Sequence, residues 1–75
     1  EKAKVNRAVA QTIAEMRHAA ALSQESLAFE CGLHPTYISK LERGIKTPTV
    51  LTLILIANAI GKKPHELLRN IERLL

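Results

Sequence analysis

The residues of this chain best suited to bind a metal ion or attack a substrate are His18, His34, His65 and Cys31. They are spread along the chain without the ligand spacing of a metal site. Cys31 and His34 are close in sequence, but Gly32 lies between them and marks a turn. The chain contains no Asp, so a Ser-His-Asp triad would need Glu as its acid. Its glycines are isolated, so no phosphate-binding loop is present. These patterns predict no metal, no cofactor and no enzyme.

A second group of side chains is suited to a nucleic acid. Lys40, Arg43 and Lys46 form a basic stretch, and the 75-residue chain has a formal net charge of +4. A positive charge of this kind suits a polyanionic partner. No apolar run approaches the ~20 residues of a membrane span. The lone Cys31 cannot form an internal disulfide, which favours a reducing cytoplasm.

The basic stretch belongs to a segment, residues 22–44, with the pattern of two short helices joined by a turn. Ser23 is a good N-cap for the first helix, and Gly32 stands where that helix must stop. Pro35 suits the first turn of the second helix, where its missing N–H has no cost. Three apolar residues are spaced to point inward: Leu27, Ile38 and Leu41. This layout is typical of a helix-turn-helix, whose second helix enters the DNA major groove.

The rest of the chain also has helical patterning. All seven acidic residues are Glu, a good helix former, and aromatic residues are scarce. Apolar spacing and capping residues predict five helices, at about residues 5–20, 24–31, 35–43, 50–60 and 64–74. The predicted fold class is therefore all-α, a compact five-helix domain. A chain of this length is expected to form one domain over residues 1–75.

Several motifs resemble the Xre family, the helix-turn-helix domains of phage Cro and cI repressors. They are LSQESLA at residues 22–28, Gly32, YISKLERG at 37–44 and TPT at 47–49. The similarity extends from about Val9 to Leu68. The resemblance implies a lambda-repressor-like fold with its helix-turn-helix at about residues 24–43. It also implies a sequence-specific transcription regulator, either a repressor or an autoregulator, of the phage-repressor or restriction–modification controller type.

The chain departs from the family pattern at two helix ends. Ala21 stands where the family usually has Gly, so a left-handed backbone there would cost about 1 kcal/mol. His34 stands where the family prefers Ser or Thr, so we expect a poorer N-cap for the third helix. The resemblance also implies a partly buried ion pair between Arg17 and Glu42, which makes both residues structural.

The resemblance implies two kinds of DNA contact. Base contacts are expected from the start of the third helix, at His34, Pro35, Thr36 and Lys40. Phosphate contacts are expected from Ser23, Gln24, Tyr37, Arg43, Lys46 and Thr47. Two alternatives stay open: Ser23 as a plain N-cap, and Tyr37 as a half-buried ring with its hydroxyl in water.

Related repressors bind near-palindromic double-stranded DNA as twofold dimers, and the resemblance implies a homodimer here. The expected apolar interface consists of Leu51, Leu55, Ile71, Leu74 and Leu75. In the alternative, the last helix covers Leu51 and Leu55 within the same chain. An alternative function is a protein-interaction module, such as an antitoxin or adaptor domain. The basic stretch of residues 40–46 favours DNA over that alternative.

Overall fold

A computed structural model describes all residues from 1 to 75 and contains helices but no strands. The five helices are α1 (Lys2–Ala19), α2 (Gln24–Cys31), α3 (Pro35–Glu42), α4 (Val50–Ala59) and α5 (Pro64–Arg73). They pack into a body of 31 × 23 × 20 Å. The predicted all-α, five-helix fold is confirmed. No helix combines the length and apolar character needed to cross a membrane.

Polar side chains begin most of these helices. Ser23 and Thr49 cap α2 and α4, each accepting a hydrogen bond from the backbone N–H three residues later. The carboxylate of Glu66 accepts from the backbone N–H of Lys63 at 2.9 Å, which closes the start of α5. These bonds satisfy N–H groups that have no partner inside the helix, so they place each helix start at a defined residue.

α1 begins three residues earlier than predicted. The carboxylate of Glu1 accepts from the backbone N–H of Lys4 at 3.0 Å and acts as its N-cap. The apolar spacing starts only at Val5, which is itself 41% exposed. A prediction from apolar periodicity therefore missed a first turn that is polar and solvated.

The turn between α1 and α2 contains the one non-glycine residue with a positive φ. Ala21 has φ 59°, and its N–H donates to the carbonyl oxygen of His18 at 2.9 Å. Ala21 therefore adopts the left-handed conformation that glycine adopts most readily. A β-carbon there crowds the backbone, so the sharp turn is made at a steric cost.

The core lies where all five helices meet. Ala28 of α2 is fully buried, and its small side chain lets neighbouring helices approach closely. Cys31 is buried at the end of α2, and this burial raises the pKa of its thiol. The largest fully buried apolar side chains come from every helix: Ile13, Leu27, Ile38, Leu41, Ile56 and Leu67. This packing fixes α2 and α3 relative to the remaining helices.

One residue expected at a dimer surface belongs to this core instead. Ile71 is only 6% exposed and packs in the apolar cluster. It is four residues after Leu67, so both point along the same buried face of α5. The assignment of Ile71 to an interface is therefore wrong, because burial within one chain leaves it no surface to share. Leu55 is half-buried against the same cluster.

Candidate nucleic-acid interface

The beginning of α3 is open to solvent. His34 and Thr36 are exposed, and Pro35 and Lys40 are partly exposed. Thr36 and Lys40 are four residues apart, so their side chains lie on the same face of the helix. Ile38 and Leu41 occupy the opposite, buried face. The four side chains expected to contact bases are thus accessible to a large ligand.

His34 caps α3 with its ring. Its Nδ1 accepts a hydrogen bond from the backbone N–H of Thr36 at 3.1 Å. The structure therefore supplies a side-chain cap at an end where a weaker one was expected. Because Nδ1 acts as an acceptor, the neutral ring carries its proton on Nε2, which remains available as a donor.

Arg17 and Glu42 tie the end of α1 to the end of α3. The Arg17 Nε donates to one carboxylate oxygen of Glu42 at 2.6 Å, and its Nη2 donates to the other at 2.9 Å. Its Nη1 donates to the carbonyl oxygen of Leu22 at 2.8 Å. Both charged side chains are nearly buried, with 9% and 7% exposure. Two parallel bonds fix orientation as well as distance, so this pair holds α3 against the body.

The environment of Glu42 keeps it ionised. Burial by itself raises the pKa of this carboxyl, but the hydrogen bonds from Arg17 and Gln24 and the charge of Arg17 lower the pKa by more than burial raises it. The resulting pKa lies below the usual range. The hydrogen bond to Glu42 raises the pKa of Arg17 in turn. Both groups are therefore charged at neutral pH, and neither is suited to proton transfer.

The two expected phosphate contacts at the start of α2 both make hydrogen bonds within the protein. The side-chain amide of Gln24 donates to Glu42 at 2.9 Å, which uses one of its two hydrogens. The hydroxyl of Ser23 accepts from the Ser26 N–H at 2.9 Å and donates to the Ser26 hydroxyl. The cap role of Ser23 is thus present in the structure. The backbone at the start of α2 and the second amide hydrogen of Gln24 remain available.

The expected phosphate contacts near the end of α3 differ in how free they are. Arg43 and Lys46 are exposed, although the Arg43 Nε donates to the carbonyl oxygen of Ser39 at 3.3 Å. Tyr37 is half-buried against the core. The hydroxyl of Thr47 donates to the side-chain oxygen of Asn6 at 3.1 Å, so it links the loop to α1. Among these four residues, Arg43 and Lys46 carry exposed positive charges that can reach a phosphate.

Sequence reasoning did not find Asn6. It meets Thr47 across 41 residues of chain. An isolated Asn near the start of a helix belongs to no motif, and neither propensity nor spacing signals such a contact. Only the packing of α1 beside the loop brings the two side chains together.

Apolar side chains remain exposed on α4, on α5 and in the two residues that follow α5. Leu51 is 65% exposed, Leu74 39% and Leu75 52%. The alternative in which the last helix covers Leu51 is therefore wrong, since this side chain is exposed. Three further exposed apolar residues were not anticipated: Val50, Ile54 and Leu68.

A family model described as Helix-turn-helix matches residues 13–67 of this chain. The match contains all of α2, α3 and α4, with the end of α1 and the start of α5. This chain is a helix-turn-helix protein of the Xre type. Its helix-turn-helix consists of α2 and α3, and α3 occupies the position of the second helix.

The helix-turn-helix chain is also similar to control proteins. It is 49% identical over 47 residues to the control protein C.BamHI of Bacillus amyloliquefaciens, a match covering 63% of this chain and 58% of that relative. The chain thus spans less than two thirds of that protein.

Two solved structures of controller proteins superpose on the helix-turn-helix fold. The restriction-modification controller C.AhdI from Aeromonas hydrophila is 35% identical, with a TM-score of 0.80 over 83% of this chain and 94% of that one. The C.Esp1396I tetramer, solved in complex with its natural 35-base-pair operator, is 26% identical with a TM-score of 0.85. That match covers 93% of this chain and 92% of that one.

Proposed function

We propose that this chain is a sequence-specific DNA-binding transcription regulator that acts as a homodimer. The observation that carries the proposal is the exposed face of α3, with Thr36 and Lys40 accessible at the second helix of a helix-turn-helix. Residues 1–75 would form one DNA-binding domain that acts in the cytoplasm. It performs no chemistry on the DNA, and regulates by occluding a promoter or by recruitment.

In this proposal α3 lies in the major groove and reads base edges. Thr36 donates to a base or packs on a thymine methyl, and Lys40 donates to guanine O6 or N7. The Nε2–H of His34 is a further donor, whereas Pro35 offers only apolar contact. These four residues offer few base contacts and no bidentate ones, so DNA shape contributes to sequence choice as well.

Arg43 and Lys46 bind phosphates beside α3 in this proposal, and the start of α2 binds a phosphate through Gln24 and backbone N–H groups. Ser23, Tyr37 and Thr47 act mainly through their contacts within the protein. These phosphate contacts carry no sequence information. They set the register of α3 on the duplex.

The proposed class of regulator is the restriction–modification controller. Support comes from relatives named as control or controller proteins, one of them solved on its operator. A controller of this class binds a near-palindromic operator with two copies of α3 about 34–36 Å apart. The exposed leucines of α4 and α5 supply the apolar surface for pairing.

Selection of bound duplexes from a random pool tests this proposal. The expected result is an enriched site with two related, inverted half-sites. Affinity for that site should fall steeply between low and physiological salt, because phosphate contacts release counterions. A protein-interaction module of the same fold would enrich no site and bind duplex weakly at either salt concentration.

A further inference from the structure

The N-terminal half of α1 lies beside the loop between α3 and α4. The Thr47 hydroxyl donates to Asn6 at 3.1 Å. A β-carbon built on Gly44 would lie 3.9 Å from the backbone oxygen of Asn6 and 4.0 Å from the β-carbon of Ala10. Two α1 residues one turn apart therefore touch the loop that also holds Arg43 and Lys46.

Two basic residues flank this contact on α1. Lys2 is four residues before Asn6, and Arg7 is three residues before Ala10. Residues three or four apart are neighbours on a helix surface, so both side chains start next to the loop contact. We call Lys2 and Arg7 the α1 basic flank. Lys4 is two residues from Asn6 and so starts on the other face of the helix.

The charges around this contact are unbalanced. Lys2, Arg7, Arg43 and Lys46 are all exposed, and the molecule's single ion pair joins Arg17 to Glu42. The acidic side chain nearest in sequence to the flank is that of Glu1, whose carboxylate accepts from the backbone N–H of Lys4. Four cations without acidic partners thus lie on two elements that touch.

We propose that the α1 basic flank contacts the DNA phosphates next to those bound by Arg43 and Lys46. This inference rests on the proposed DNA-binding function and adds a second element to the phosphate-binding surface. The bond between Thr47 and Asn6 fixes the position of α1 relative to the loop, so the two sets of cations keep a constant spacing. Such a surface binds more phosphates than α3 and its loop do alone.

The test compares two double variants with the same loss of charge. Lys2→Gln with Arg7→Gln removes the flank. Lys4→Gln with Lys62→Gln removes two exposed lysines elsewhere, one on the other face of α1 and one in the turn before α5. Binding to a random-sequence duplex and to a selected duplex is measured by fluorescence anisotropy over a series of salt concentrations.

The slope of log affinity against log salt is negative, and each lost phosphate contact should make it less steep by about 0.9. The slope of the flank variant should therefore be less steep than that of the wild type by about 1.8. The loss should be similar on both duplexes, because phosphate contacts do not read sequence. The control variant should keep a slope close to that of the wild type. Thermal melting curves should show that both variants are folded and as stable as the wild type, since all four side chains are exposed. The single Lys2→Gln and Arg7→Gln variants should each lose about half as much.

Equal slope changes in the two double variants would overturn the inference, because net charge alone would then explain the effect. A wild-type slope retained by the flank variant would overturn it too, while leaving the DNA-binding proposal in place. Failure of the wild type to bind any duplex would instead refute the proposed function, and this inference with it.

Discussion

At the scale of single residues, the orientation of α3 depends on one buried carboxylate. Glu42 receives two hydrogen bonds from Arg17 and one from the amide of Gln24. These donors belong to α1 and α2, so a single acidic side chain on α3 connects three helices. Loss of either charge would leave its partner buried and unpaired.

We expect Glu42→Gln to reduce the free energy of unfolding by about 3 kcal/mol, because Arg17 then keeps a buried charge without a counter-ion. Urea unfolding at neutral pH measures this. The matched control is Glu15→Gln, which changes an exposed carboxylate that accepts only from Gln11. A Glu42→Gln protein as stable as the Glu15→Gln control would show that the pair contributes little.

The same carboxylate predicts a pH dependence. The pKa of Glu42 lies below its ordinary value of 4.5, so the pair's contribution is complete above pH of about 4.5 and is lost as the pH falls through the lowered pKa. Unfolding measured from pH 6 down to about pH 2 should show wild type losing stability faster than Glu42→Gln. Parallel curves would contradict the assignment.

Two basic residues, Lys40 on α3 and Arg43 just after it, should behave differently in DNA binding. Lys40→Ala should cost about 1–3 kcal/mol of discrimination at one base position, whereas Arg43→Ala should weaken all duplexes about equally. Competition binding with single-base operator variants separates the two effects. Equal losses on specific and random DNA for Lys40→Ala would remove its assignment as a base contact.

At the scale of elements, the two helix ends that depart from the family pattern behave differently. Ala21 keeps a left-handed backbone at φ 59° despite its β-carbon. His34 makes a real cap through its ring nitrogen. One departure therefore costs stability, and the other supplies a cap through a different chemical group.

Ala21→Gly should stabilise the protein by up to about 1 kcal/mol, because Gly adopts a left-handed backbone without crowding. Ala19→Gly is the control, since Ala19 is the last residue of α1 and its backbone is helical. That variant should lose about 0.5–1 kcal/mol. Thermal melting of both compares them directly, and destabilisation by Ala21→Gly would refute the strain.

His34→Ala should destabilise the protein by about 1 kcal/mol, because the Thr36 N–H loses its side-chain partner. His34→Ser keeps a side-chain acceptor and should restore that stability. Urea unfolding of both variants provides the measurement. If Ala and Ser were equally stable at this position, the hydrogen bond at 3.1 Å would have no capping role.

At the scale of the whole molecule, the exposed leucines are the feature that a single copy does not explain. Leu51, Leu74 and Leu75 remain accessible although every helix contributes a fully buried apolar side chain to the core. A twofold dimer would bury such side chains and place two copies of α3 on one side of the duplex. The interface set expected from the sequence now excludes Ile71, which supports the fold of each copy.

Leu51→Glu combined with Leu75→Glu should convert the dimer to a monomer, because a dimer interface would bury the new charges. Leu55 is left unchanged, since it also packs against the core. Phe29→Glu is the control, as Phe29 on α2 is 85% exposed. Sedimentation velocity should show monomers for the double variant and dimers for the control. A dimer in both would place the interface elsewhere.

The sequence by itself determined the number and order of the helices, the cap of α2 at Ser23 and the identity of the helix-turn-helix. Those features depend on neighbours in the chain, such as Ser23 before α2 and Gly32 after it. The resemblance also predicted the exposed start of α3 and the ion pair between Arg17 and Glu42. The polar first turn of α1 was missed, because apolar periodicity does not register it.

Only the tertiary structure decided which apolar residues are left for a partner and which polar groups are already engaged. Ile71 and Leu74 are both apolar residues near the end of α5, yet one is 6% exposed and the other 39%. The side chains of Gln24 and Thr47 are hydrogen-bond donors suited to a phosphate. In the fold, however, Gln24 donates to Glu42 and Thr47 donates to Asn6. Burial and hydrogen bonding depend on residues that are distant in the chain, so the local sequence pattern does not predict those contacts.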